Sequence, residues 1–148
     1  MKQVFMLLLL FAIINSGCDD TSANNKGFKD VTGNWSGKGL YYNTISIELD
    51  LNLSCEGGNI SQSPGTKNTC IVGLLYKNET NKYTCYSFGT ITGNAVELSF
   101  GSTLGTSTYS GIVNETLDTI SGVFLARNMG SVGVSDCEVE LELVKSKF

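Results

Sequence analysis

A chain of 148 residues, 41% hydrophobic and 16% charged, has the material for one hydrophobic core and not comfortably for two. Its formal charge of -4 and its single arginine, Arg127, argue against a basic surface for nucleic acid. The absence of histidine removes Ser-His and Cys-His nucleophile pairs, histidine general bases and mixed histidine metal sites, so the expectation is a non-enzyme without metal or cofactor.

The chain opens with Lys2 and an apolar run from Val4 to Ile14, followed by Ser16 and Gly17. That run has the length of a secretory leader core and is too short for a comfortable membrane span, so residues 1–17 are expected to be a signal peptide. Ser16-Gly17-Cys18 resembles the lipobox of bacterial lipoproteins, with Asn15 standing where that motif usually shows an apolar residue. The resemblance implies that Cys18 carries the lipid, palmitate included, and becomes the first residue of a chain anchored in the bacterial cell envelope. Outer membrane or cell surface is the favoured location, and ordinary cleavage with secretion is the alternative. Residues 19–30, DDTSANNKGFKD, are polar and aperiodic and read as a flexible tether. Asp19 and Asp20 resemble sorting signals that mean inner-membrane retention in some bacterial groups and surface export in others.

Residues 31–148 are expected to form a single β-domain. Gly33 to Leu40 makes a first strand, and Tyr41 to Asn43 a turn. Thr44 to Cys55 then alternates without error: Ile45, Ile47, Leu49, Leu51, Leu53 and Cys55 share one parity, and Ser46, Glu48, Asp50, Asn52 and Ser54 the other. Side chains of a strand point alternately to opposite faces, so this strand has one buried and one wet wall. Glu56 to Thr69 reads as a polar loop with a Pro64-Gly65 turn. Cys70 to Tyr76 is a third strand, Lys77 to Lys82 a charged turn, and Tyr83 to about Thr92 a fourth strand. Gly93-Asn94 is a two-residue hairpin turn that sets Ile91 against Val96, Gly89 against Leu98 and Ser87 against Phe100. Thr106 to Val113, Asp118 to Arg127 and the closing DCEVELELV complete about eight antiparallel strands, for which an up-and-down closed barrel hides every edge.

VTGNWSG resembles the opening strand of lipocalins, whose G-x-W matches Gly33, Asn34 and Trp35, and also the opening of avidin-like barrels. The resemblance covers about seven residues and implies a lipocalin/avidin-like fold. It does not carry over a ligand, because Arg127 lies too far along its strand to cap Trp35 as the lipocalin arginine does, and one Trp is too few to wrap biotin.

Five cysteines are an odd number, and assigning Cys18 to the lipid leaves Cys55, Cys70, Cys85 and Cys137 for two disulfides. An up-and-down order pairs Cys55 with Cys70 at the tether end and leaves Cys85 for Cys137 across the other mouth. A four-cysteine zinc site is the rival, disfavoured because no C-x-x-C spacing occurs.

Trp35 is read either as the floor of a ligand cavity or as a plug. Tyr42 and Arg127, with the loop Asn128 to Ser135, are placed at the end facing away from the membrane, free to touch a ligand or partner. Glu138, Glu140 and Glu142 form an acidic stripe, read as a solvated face or as a patch for a basic partner. Two binding roles follow. One is carriage of a small apolar ligand inside the barrel; the other is inhibition of, or adhesion to, an envelope or host protein through loops and acidic surface. A structural surface antigen is a third reading.

Overall fold

A computed structural model of the chain describes residues 27–101 and 105–147. The leader, Cys18 and the tether up to residue 26 lie outside the described residues. Nine strands follow one another: β1 (Gly33–Tyr41), β2 (Ile45–Glu56), β3 (Asn59–Gln62), β4 (Asn68–Leu74), β5 (Glu79–Thr92), β6 (Ala95–Gly101), β7 (Thr108–Val113), β8 (Thr119–Ala126) and β9 (Cys137–Lys145). Every pairing is antiparallel, and β1 pairs with both β2 and β9, so the sheet closes on itself. Because β3 and β4 occupy one rank between β2 and β5, the barrel has eight ranks. This is an up-and-down barrel of the lipocalin/avidin-like kind.

The alternation in β2 holds along its middle, where Ile47, Leu49, Leu51 and Leu53 are buried and Asp50 is exposed, while Ser46 of the wet parity is buried and Cys55 of the other is half-buried. The β5–β6 hairpin turns on Gly93, at φ +61°, and its register sets Ile91 against Val96, Gly89 against Leu98 and Ser87 against Phe100. The expected loop Glu56 to Thr69 keeps its Pro64-Gly65 turn but contains a strand, β3. Gly57 and Gly58, both at positive φ, make a tight turn that returns the chain along β2 as β3. Residues 63–67 then bulge out before β4 resumes the same rank, with the Ser63 amide donating to the Asn52 carbonyl at 2.9 Å. Polarity had pointed to a loop here, yet only one face of a short strand needs to be apolar, and Ile60 supplies it.

The glycines inside the strands are sites of close approach. A β-carbon on Gly37 or Gly39 would strike the Glu142 or Glu140 carbonyl oxygen of β9, one on Gly89 the Glu97 carbonyl oxygen, and one on Gly122 the Ser110 carbonyl oxygen. Without side chains there, neighbouring strands coil tightly enough to close a small barrel.

The interior is filled. Trp35 is 1% exposed; its indole N–H donates to the Val31 carbonyl at 2.8 Å, and Lys145 Nζ lies 5.4 Å from the centre of its ring. Lys145 thus caps the indole with a cation. Tyr109, also in the core, donates from its hydroxyl to the Ile120 carbonyl at 2.8 Å and is 3.3 Å from that of Leu141, while the rings of Phe100 and Phe124 meet at 5.5 Å, tilted by 52°. At the tether end Phe28 packs on the core and the Lys29 amide donates to the Gly93 carbonyl at 3.1 Å, so residues 28–30 are strapped to the barrel.

The far mouth is closed as well, against the expectation of a free loop. Between β8 and β9 the chain folds inward through a short 3-10 turn, Gly130–Val132, burying Met129, Val132 and Val134. The apolar residues of NMGSVGVS are what drive it in, since three such side chains gain more from the core than from water.

Neither expected disulfide fits the registers, and the four described cysteines are unbridged. Cys70 stands opposite Leu49, and Leu49 and Cys55 are six residue steps apart on β2, roughly 20 Å of strand. Cys85 on β5 and Cys137 on β9 are four ranks apart in either direction around the barrel, which makes them opposite walls.

Gly89→Ala is expected to destabilise the full chain by about 1–3 kcal/mol, seen as a lower urea midpoint, because the methyl group must push strands apart. Gly57→Asn, at φ +59° with open space around it, is expected to stay within about 0.5 kcal/mol. Equal losses at the two positions would contradict the close-approach reading.

Candidate functional site

With the core occupied, the candidate site is on the outside, at the rim farthest from the tether. The β1–β2 hairpin reverses there through Tyr42 and Asn43, at φ +43° and +55°. Two successive positive φ values define the tight hairpin turn that matches strand twist and favours Asn and Gly. Asn43 suits it. Tyr42 is a bulky residue in a left-handed conformation, which costs on the order of 1–2 kcal/mol. Its ring is 82% exposed and meets Tyr41 edge-on at 4.6 Å, so no core contact recovers the cost.

The turn is braced from beside it. Thr44 donates to the Tyr41 carbonyl through both its amide and its hydroxyl, at 2.8 Å each, and accepts at its own carbonyl from the Leu75 amide at 2.8 Å. That last bond ties the hairpin to the 3-10 turn Leu75–Lys77 after β4, where Leu75 and Tyr76 are also exposed and Lys77 Nζ lies 5.5 Å from the Tyr76 ring centre. The expected third strand ended at Tyr76; the observed one ends at Leu74, which moves Leu75 and Tyr76 from wall to rim.

Behind Tyr41 and Tyr42 a cleft of about 650 Å³ opens between β1 and the start of β9. Leu40 and the two tyrosines make one side, Asp136, Glu138 and Glu140 the other, and buried Cys137 lies between them. Asp136 is held by the Asn128 amide, which donates to its carboxylate at 3.0 Å. Glu138 and Glu140 are exposed and have no cationic partner among the described residues, the one ion pair there being Lys38 with Glu48 at 3.8 Å. Burial, and then the neighbouring Asp136 charge, push the Cys137 thiol above its ordinary pKa, so it is a poor nucleophile, and it belongs to the core.

Of the residues the sequence singled out, Tyr42, Glu138 and Glu140 line this cleft. Arg127 is exposed and flanks an adjoining depression of about 210 Å³ shared with Asp136 and Glu138. Trp35 is at the opposite end and buried, out of reach of both. Asp136, Leu75 and Tyr76 were not anticipated. The Leu-Tyr-Lys-Asn run before a polar strand is the signal for the last two, since Asn78 at φ +55° ends the turn. No protein-family model matches the chain, and no curated protein matches it in sequence.

Replacing Tyr42 by Asn is expected to raise stability by about 0.5–1 kcal/mol, measured as a higher urea midpoint, because Asn accepts the left-handed turn more readily. A lower midpoint would show that the ring holds the turn together.

Proposed function

We propose that the chain is an envelope lipoprotein, anchored through a lipid on Cys18, whose barrel is a rigid mount for a non-catalytic protein-binding surface at the rim away from the membrane. One observation carries this reading: the barrel is filled by its own side chains and plugged at both ends, while the bulky Tyr42 stands exposed at positive φ in the β1–β2 turn. Backbone strain kept at an exposed position supports a functional reading of that position. The filled interior speaks against carriage of an apolar ligand and favours the inhibitor or adhesin reading.

The partner this surface suits is a protein presenting Lys or Arg. Exposed tyrosines supply amphipathic contact area and an aromatic face for a cation, and carboxylates without a cation of their own supply complementary charge. The matching lysine or arginine would enter the cleft between Tyr42 and Glu138.

The test uses the full chain, immobilised, with two cationic probes: an octalysine peptide and a basic lysozyme. Binding that weakens with salt is expected, together with about a tenfold loss, or 1.4 kcal/mol, for Tyr42→Asn and for the Glu138→Gln/Glu140→Gln double variant. Arg127→Ala, which removes a repelling charge beside Asp136, is expected to preserve or improve binding. Absence of binding to both probes at low salt, or binding indifferent to these substitutions, would refute the proposal.

A further inference from the structure

The registers that separate Cys55 from Cys70, and Cys85 from Cys137, bring a different pair together. Cys70 is opposite Tyr83 and Cys85 is opposite Asn68, so the two thiols are diagonal neighbours on adjacent strands, β4 and β5. Both are buried and belong to the one core cluster, which places them on the same inner face. Cys55 and Cys137 lie at opposite ends of the barrel and have no such neighbour among the described residues.

Diagonal neighbours in an antiparallel ladder are about 7–8 Å apart, with their β-carbons somewhat closer, and a disulfide accepts Cα separations up to about 6.8 Å. The remaining adjustment falls near the start of β4, two residues after Asn68, whose side chain is held by the Asn52 amide and by Ser87. β4 begins at Asn68, directly after the bulge of residues 63–67, and its ladder to β2 begins only at Thr69.

We infer that Cys70 and Cys85 form a disulfide that staples β4 to β5, and that Cys55 and Cys137 remain thiols. In the cell this rests on the proposed export to an oxidising compartment. The chemistry is two exchanges with a disulfide donor. One cysteine sulfur attacks the donor and releases its first sulfur; the other then attacks the mixed disulfide and releases the second, the two protons ending on the donor, which leaves as dithiol. Burial pushes the Cys70 thiol up to about 12 and the Cys85 thiol to about 11, so attack by thiolate is suppressed once the barrel is closed. The bridge therefore forms during folding, and the core afterwards shields it from reductants.

The full chain, reduced and unfolded, is refolded in a mixture of reduced and oxidised glutathione, blocked with a maleimide in denaturant and digested with trypsin. Cleavage after Lys77 and Lys82 separates the two cysteines. The expected spectrum contains a Cys70 peptide joined to a Cys85 peptide and split by reduction, with Cys55 and Cys137 carrying maleimide or glutathione. Cys70 and Cys85 both recovered with maleimide, or either one joined to Cys55 or Cys137, would overturn the inference. Because glutathione supplies the oxidant, the result is independent of export; failure of export would show instead as an uncleaved leader on the chain taken from cells.

Discussion

The constraint on which the molecule depends is closure of its sheet at the seam between β1 and β9. Only Trp35 with Lys145 and Ser36 with Val144 form ladder pairs there, so the seam is held largely by how closely the two backbones pass. Gly37 and Gly39 permit that passage, since a β-carbon on either would meet a β9 carbonyl. An open seam would expose two strand edges and uncover Trp35, the largest fully buried side chain. Lys145 acts on both problems at once, pairing across the seam and covering the indole.

Closure also determines what kind of surface the protein can offer. A small barrel whose inner wall carries Trp35, Tyr109, Phe100 and Phe124 has its volume taken up by its own aromatic rings, and the inward fold of Met129, Val132 and Val134 closes the mouth that an apolar molecule would have to enter. What is left exposed is the outer surface, where Tyr42 beside Glu138 and Asp136 gives the rim both an aromatic and an acidic character.

Much of this architecture was legible in the residues because a strand period of two leaves little freedom: once Ile47 faces inward, so do Leu49, Leu51 and Leu53. The β5–β6 register followed from one glycine for the same reason. Segments whose apolar residues were few were harder to read. Ile60 is the single buried residue of β3, too sparse to announce a strand within a polar run, and missing β3 is what misplaced Cys55 beside Cys70. Opposite walls of the barrel are a property of rank rather than of spacing, so the separation of Cys85 from Cys137 needed the topology. The inward loop is legible in principle, since Met129, Val132 and Val134 stand out among glycine and serine, but three apolar residues without a strand or helix period do not say which way a loop folds. The cleft depends on β1 and β9 becoming neighbours from opposite ends of the chain, which no local pattern records.

The central claim is that the barrel interior belongs to the protein's own side chains and that function lies outside it. The measurement that bears on this most directly is the mass of the full chain, purified in detergent from the producing cells, under native and then denaturing conditions. Any covalent lipid contributes equally to both masses and cancels. Equal masses are the result this account predicts, whereas an added mass of a few hundred daltons that leaves on denaturation would mean an occupied cavity and would contradict it.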